Sequence, residues 1–219
     1  EFDELKELYS DYKIPFWMNT RAETINEYRA AGLAEMNMLR MNIGIEHGNY
    51  EYRRNYLKRN VKNEVQIRAF QIAAEHDYAS CANSIIGMPD ETRDLIFDTI
   101  NFVRELPDSI DATGAFIFAP YHGTPLRDLA IRKGYINDEE ICSLSNTSES
   151  MLRMPTITKK EIQGLAKTFS LYTKFPKERW PEIKIAESDD LEGTKMMDKL
   201  GKEFDSTYRQ FAAGTDLHD

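Results

Sequence analysis

The sequence has few cysteines, few histidines and no long apolar run. Its 219 residues include two Cys and four His. Two Cys cannot form a disulfide framework or supply the three or four thiolates of an iron–sulfur cluster, and they predict a reducing, cytoplasmic location. No apolar run reaches the roughly 18 residues of a membrane span. The acidic, helix-like start does not resemble a signal peptide.

Positive charge is outnumbered by negative charge, and several common motifs are absent. Lys and Arg number 28 against 37 Asp and Glu, a net charge of −9, which argues against a broad nucleic-acid-binding face. We find no Walker loop, no dinucleotide fingerprint and no Gly-x-Ser-x-Gly elbow. The four His are scattered, so a mononuclear zinc triad is not expected.

What the sequence does contain is an alternation of strand and helix patterns. Near-continuous apolar strands, each followed by an amphipathic helix, indicate a parallel sheet or barrel covered by helices. Ligand sites in such folds lie at the carboxyl ends of the strands. Gly32 is expected to end the second helix. Strands are predicted at 14–19, 36–45, 79–88 and 111–119, and helices at 2–12, 24–31, 50–59, 62–76, 91–106 and 125–133.

The pattern changes after residue 136. Thr158 followed by Glu161 has the spacing of a capping box and predicts a helix to Tyr172, and 182–209 predicts one or two more helices. We therefore divide the chain into a barrel part, 1–136, and a helical extension, 137–219. The aromatic side chains of the extension are expected to pack on the outer helices; covering the barrel mouth is the alternative. They are Tyr172, Phe175 and Trp180.

Two segments at strand ends carry charge. Arg21 follows the first strand, where it could meet an anionic ligand or pair with a surface carboxylate. Glu46 and His47 follow the second strand between Gly44 and Gly48, and glycine permits close backbone approach to a ligand. A carboxylate there can accept hydrogen bonds from ribose hydroxyls. The alternative is a tight turn with a solvated Glu46.

Two further segments are apolar or aromatic. Gly87 ends the third strand and could let an adenine ring lie on the strand end, while Asp90 and Glu91 suit the capping of the next helix. Tyr121 and His122 follow the fourth strand. They could pack on an aromatic ligand, or form a rigid loop that positions the last barrel helix.

The order of these segments resembles the radical S-adenosylmethionine (SAM) superfamily. It is most similar to the branch often joined to a cobalamin-binding domain, whose motifs read Gly-Ile-Glu-Ser-Gly, Gly-x-Pro-Gly-Glu-Thr and Pro-Gly-Thr-Pro. This chain departs at His47, which is usually Ser, at Asp90, which is usually Gly, and at His122, which is usually Pro. The resemblance covers roughly residues 14–136, and it implies a partial (β/α) TIM-like barrel in the α/β class with a C-terminal helical extension.

The resemblance also implies a SAM site. Glu46 would lie near the ribose, and Lys58 or Arg59 would face the methionyl carboxylate. The adenine would lie near Ile86, Gly87 and Tyr121. The complete expected set of SAM-binding residues is Arg21, Glu46, His47, Lys58, Arg59, Ile86, Gly87 and Tyr121.

The family holds a [4Fe–4S] cluster through a Cys-x-x-x-Cys-x-x-Cys motif that this chain lacks. We therefore expect the C-terminal portion of a larger enzyme, inactive by itself, with an exposed sheet edge where missing units would pair. The cluster ligands would come from a missing N-terminal region or another chain, and cobalamin from a further domain.

The activity implied for the intact enzyme is formation of a 5′-deoxyadenosyl radical from SAM. That radical would drive methyl transfer or rearrangement of a small-molecule or lipid-like substrate. Two alternatives stay open: a non-catalytic half-barrel that binds a nucleotide or a partner, and a metal-independent enzyme that uses Glu46 and His122 as acid and base.

Overall fold

Four parallel strands form one sheet in the order β1-β2-β3-β4, so neighbours in sequence are neighbours in the sheet. This computed structural model describes residues 1–110, 114–142 and 149–208. The strand–helix order confirms the predicted α/β partial barrel. Within the described residues β1 and β4 are the edge strands, and Trp17 of β1 is 54% exposed. The strands are β1 Phe16–Arg21, β2 Met38–Glu46, β3 Ala79–Ile86 and β4 Phe116–Ile117.

The helices follow the predicted apolar periodicity, with ends shifted by a few residues. The strand predicted at 111–119 is observed at two residues, while 111–113 lie outside the described residues. No helix in the described ranges has the length and apolarity needed to cross a membrane. The helices are α1 Phe2–Ser10, α2 Glu27–Glu35, α3 Tyr50–Tyr56, α4 Asn63–Ala73, α5 Arg93–Arg104, α6 Pro125–Arg132, α7 Lys159–Lys174, α8 Trp180–Ala186 and α9 Leu191–Tyr208.

The expected helix end at Gly32 is wrong. Helix α2 continues to Glu35, and the left-handed residue that follows it is Asn37, with φ of 68°. A Cβ at Gly32 would lie 2.8 Å from the ring of Phe2. This glycine therefore allows α1 to pack closely on α2, a tertiary requirement that a C-cap pattern cannot reveal.

The two faces of the sheet differ in polarity. Met41, Ile43 and Ile86 point to the helices and are fully buried in the core. The opposite, inner face carries polar side chains, and the Asn42 amide donates to the Asn19 side chain at 3.1 Å. Since alternate residues of a strand face opposite sides, each strand contributes to both the core and this inner surface.

The C-terminal helices pack on the outside of the barrel part. Tyr172 and Trp180 surround Phe97 of α5, with ring centroids 5.1 and 5.2 Å from it. Phe175 is also buried in the same core, so the expected packing on the outer helices is confirmed. Helix α7 contacts α5 and β4 directly. The boundary between 1–136 and 137–219 stays a prediction.

Candidate ligand-binding site

The end of β2 turns sharply at Glu46. Its φ of +63° is in the left-handed region, which is uncommon for a residue other than glycine. A Cβ on Gly44 would lie 2.6 Å from the Glu46 carboxylate oxygen. The carboxylate therefore lies back over Gly44 on the inner face of the sheet. A glycine at position 44 leaves the room for this arrangement.

Arg59 lies beside the Glu46 carboxylate, but its shorter hydrogen bonds go to other groups. It donates to the carbonyl of Gly44 at 2.8 Å and pairs with Glu23 at 3.0 Å, whereas its distance to Glu46 is 3.4 Å. Its Nε is buried and has no hydrogen-bond partner among the described residues. This Nε is therefore an unsatisfied donor enclosed beside the two carboxylates.

The two carboxylates flanking Arg59 have opposite pKa shifts. Burial raises the pKa of Glu46 above its ordinary value, although Arg59 and Arg21 favour the charged form. Burial also opposes ionisation of Glu23, but its hydrogen bonds, one of them from Arg59, outweigh this and lower its pKa. Arg59 therefore stabilises the ionised form of Glu23 more than that of Glu46. Glu46 keeps an incompletely satisfied carboxylate that suits hydroxyl donors.

An apolar cavity of about 480 Å³ lies at the same end of the sheet, next to β3 and β4. Its volume is in the usual range for sites that bind small molecules. Lys58 is the charged member of its lining, and no ion pair or hydrogen bond of Lys58 is found within the described residues. The lining residues are Tyr56, Leu57, Lys58, Ile85, Phe116, Ile117, Phe118, Ala119, Tyr121, Thr124, Pro125 and Leu126.

The structure brings only some of the predicted adenine-side residues to this cavity. Tyr121 lines it, but the side chain of Ile86 is fully buried in the core on the opposite face. Ile85, one residue earlier, lines the cavity instead. Gly87 has φ of +80°, and a Cβ there would meet Ile162 of α7 at 3.0 Å rather than the cavity. The apolar run at this strand end hid its alternation, so sequence reasoning missed Ile85.

The remaining predicted residues differ in their exposure. Arg21 is exposed at the end of β1, in register with Gly44 on the inner face. His47 is fully buried, stacks on Tyr52 at 4.4 Å between ring centroids and does not reach the inner face. His122 is exposed in the turn before α6 and is not among the cavity-lining residues.

The loop after β3 is held by two acids for which sequence reasoning assigned only capping. Glu91 is fully buried and accepts hydrogen bonds from the backbone N–H groups of Gly87 and Met88 and from His47. The capping side chain of α5 is Thr92, which accepts from the backbone N–H of Leu95. Glu91 therefore ties the loop to the end of β2.

Asp90 holds the same loop from its other side. It has φ of +64°, the conformation for which glycine is usual. Its carboxylate accepts from Tyr56 and Tyr135 at 2.9 and 2.6 Å and pairs with Lys133 at 2.8 Å. These three partners explain how an aspartate is accommodated at a left-handed position.

A second cavity, of about 530 Å³, lies on the helix-covered face between α1, α2 and β1. Its lining is mostly apolar and includes Met18 and Met41, whose side chains point away from Glu46. It lies on the opposite side of the sheet from the charged groups described above. The inner-face edge is therefore the candidate site.

The cysteines of this chain do not fit an iron–sulfur cluster. Cys81 is buried on β3, and Cys142 is partly buried after α6. In the described part of the chain, no three His, Cys, Asp or Glu side chains are grouped so as to hold a metal ion. A cluster would need ligands from elsewhere.

The fold and the candidate site define a class: a parallel α/β half-barrel with a candidate ligand-binding edge at the carboxyl ends of its strands. Residues 1–103 match the family model of the radical SAM superfamily. This matched segment, which carries β1 to β3 and most of α5, is similar to the radical SAM superfamily, as the motifs predict. No curated protein matches the chain.

Two solved structures share the fold. One is TsrM, a radical SAM methyltransferase from Kitasatospora setae with cobalamin and a [4Fe–4S] cluster bound, at 13% identity and a TM-score of 0.51. The other is OxsB, a cobalamin-dependent SAM radical enzyme with aqua-cobalamin and SAM bound, at 14% identity and a TM-score of 0.54. Each alignment covers 92% of this chain, but only 48% of TsrM and 35% of OxsB. At these sequence identities, the similarity to TsrM and OxsB shows only that this chain shares their fold.

Proposed function

We propose that this chain is the SAM-binding part of a cobalamin-dependent radical SAM enzyme. Its reaction would be methyl transfer or rearrangement of a small-molecule or lipid-like substrate. The observation that carries the proposal is the placement of the Glu46 carboxylate and of the Lys58 cavity at one edge of a radical SAM half-barrel. A cytoplasmic location suits two cysteines, Cys81 and Cys142, that are not in a disulfide within the described residues, and it stays a prediction.

Each part of SAM has a chemically matched group at this edge. Glu46 would accept hydrogen bonds from the ribose hydroxyls, because the one hydrogen bond its carboxylate accepts within the described residues is the 3.4 Å contact from Arg59. Of the two candidate cations for the methionyl carboxylate, the contacts favour Lys58, since Arg59 is engaged with Glu23 and the Gly44 carbonyl. The apolar wall that includes Ile85 and Tyr121 would take the adenine.

The radical chemistry would come from SAM together with a [4Fe–4S] cluster and cobalamin, which this chain does not hold with its own residues. We propose that the cluster ligands and the cobalamin-binding domain belong to another region of the protein or to another chain. The contribution of the described residues is to bind SAM, to orient it and to cover its adenine with apolar side chains.

Isothermal titration calorimetry with SAM tests the binding proposal. We expect wild-type protein to bind, and both Glu46→Ala and Lys58→Met to weaken binding by about tenfold or more, since a charge-assisted hydrogen bond contributes about 1.5–3 kcal/mol. Glu105→Gln, at an exposed position beyond α5, is the matched control and should bind like wild type. Absence of SAM binding by the wild-type protein would refute the proposal.

The second candidate function is a non-catalytic half-barrel that binds a nucleotide or a partner. It is favoured by the lack of a three-residue metal-ligand set within the described residues. Adenosine and SAM distinguish the two candidates. A SAM site should prefer SAM because Lys58 adds a contact to the methionyl carboxylate, and Lys58→Met should remove that preference. Equal affinity for both ligands would favour the general nucleotide module.

A further inference from the structure

Every polar group of His47 is already used inside the protein. Its backbone N–H donates to the Ile45 carbonyl at 2.8 Å, and its carbonyl accepts from the Arg53 guanidinium at 2.5 Å. Its ring Nδ1 accepts from the backbone N–H of Asn49 at 3.0 Å. That bond leaves the proton on Nε2, which donates to the Glu91 carboxylate at 2.9 Å. These hydrogen bonds therefore hold the backbone and the ring of His47 in one orientation and one tautomer.

The residue before His47 is Glu46. A left-handed backbone at a glutamate is strained and persists only where the surroundings impose it. The surroundings here are the saturated hydrogen bonds of His47, which fix the chain direction just after Glu46. The same direction places the Glu46 carboxylate over Gly44.

The partner of His47 also fixes the other side of the site. The second carboxylate oxygen of Glu91 accepts from the N–H groups of Gly87 and Met88, at the turn where β3 ends. His47 and Glu91 are both fully buried, so this link is shielded from water. One buried pair thus connects the end of β2, which carries Glu46, with the end of β3, which carries Ile85.

We propose that His47 and Glu91 are positioning residues that hold the Glu46 carboxylate in place for the ribose of SAM. Neither residue touches the ligand; both act through Glu46. The inference rests on the proposed function, in which Glu46 faces the ribose. Sequence reasoning placed His47 among the ligand contacts, whereas its full burial assigns it this indirect role.

A double-mutant cycle on SAM affinity tests the proposal. The variants are Glu46→Gln, Glu91→Gln and the double variant, with Glu105→Gln as a control that should match wild type. We expect each single site variant to weaken SAM binding by about tenfold, and the double variant to bind no more weakly than Glu46→Gln alone. If Glu91→Gln weakens binding by the same factor in both backgrounds, or has no effect, the proposal is wrong.

A second variant covers the case in which Glu91→Gln does not fold. In His47→Asn the shorter amide can still accept from the Asn49 N–H but cannot reach Glu91. In a double-mutant cycle with Glu46→Gln, His47→Asn should weaken SAM binding in the wild-type background and have no further effect in the Glu46→Gln background. Circular dichroism checks that the single and the double variant are folded. Equal effects of His47→Asn in the two backgrounds would likewise overturn the proposal.

The pKa of Glu46 in SAM-free protein provides a readout that does not depend on SAM. A carboxyl ¹³C NMR titration should show the raised pKa in wild type and a pKa closer to the ordinary value in Glu91→Gln, because a released carboxylate turns to water. An unchanged pKa would contradict the positioning role. Failure of wild type to bind SAM would instead refute the proposed function, and the titration would still decide the positioning role.

Discussion

Replacing Gly48 by alanine should destabilise the protein strongly, although glycine-to-alanine is a small change. A Cβ at Gly48 would lie 2.6 Å from the Cα of Thr99, 2.7 Å from the carbonyl oxygen of Asp98 and 2.7 Å from the Cβ of Phe102. Carbon atoms prefer separations of about 3.5–4.0 Å. Two of these three atoms belong to the backbone of α5, so no side-chain rotation can relieve the clash.

The magnitude follows from two losses. Overpacking of this kind costs about 1–3 kcal/mol. Pushing the turn away from α5 would also break the 2.9 Å hydrogen bond from the Gly48 N–H to the Thr99 hydroxyl. Leaving that buried donor unpaired adds about 1–3 kcal/mol. We expect a total loss of about 2–6 kcal/mol, a large share of the roughly 5–15 kcal/mol that stabilises a typical protein.

Urea unfolding followed by far-ultraviolet circular dichroism measures this loss. Gly201→Ala is the matched control: it makes the same change inside α9, where nothing lies within 4 Å of the added carbon. Alanine has the higher helix propensity, so Gly201→Ala should be neutral or more stable by up to about 1 kcal/mol. A Gly48→Ala free energy of unfolding within about 0.5 kcal/mol of wild type would refute the close packing of this turn on α5.

Three further changes test the site and its supports. Gly44→Ala should displace the Glu46 carboxylate, its nearest neighbour, and weaken SAM binding measured by calorimetry, with a small change in stability; unchanged affinity would contradict this. Because the folded-state pKa of Glu46 is raised, its ionised form destabilises the protein above that pKa. Glu46→Gln should therefore have a higher free energy of unfolding than wild type at pH 7–8, measured by urea unfolding, and this difference should shrink as the pH falls towards about 4. A difference that does not change with pH would contradict the raised pKa of Glu46. Arg93→Ala should destabilise by about 1–3 kcal/mol, since it removes a bidentate partner from the buried Glu187 carboxylate, which keeps Tyr172 and Lys184; a free energy of urea unfolding near the wild-type value would count against this.

Periodicity was sufficient to predict the layout of the fold. Apolar positions at helical or strand spacing depend on burial of one face, and this is a local property of the sequence. The helix that begins at Lys159 follows its capping box, in which Thr158 and Glu161 bond reciprocally. Gly32 and Gly48 were harder to interpret, because each contacts an element distant in sequence. Gly48 approaches the backbone of α5 rather than a ligand.

The residues of the candidate site stay a prediction, and the contacts they make could not be read from the sequence. Glu46 was singled out because functional residues of such folds follow strand ends, and Lys58 because the family resemblance implies it. The choice between Ile85 and Ile86 depends on which face of β3 each residue occupies, and an apolar run does not reveal that. Whether Arg59 pairs more closely with Glu23 or with Glu46 depends on distances between residues that are far apart in sequence, and the sequence does not give those distances.

Two departures from the family motifs acquire a common physical reason in the structure. His47 bonds to Glu91, and Asp90 bonds to Tyr56 and Tyr135, so both departures act on the loop that follows β3. A serine at position 47 is too short to span from the β2 end to a carboxylate as an imidazole does. A glycine at position 90 would offer no acceptor to the two tyrosines. This loop is therefore held from both sides by side chains of this particular sequence, His47 at the Glu46 end of the candidate site and Asp90 at the cavity end.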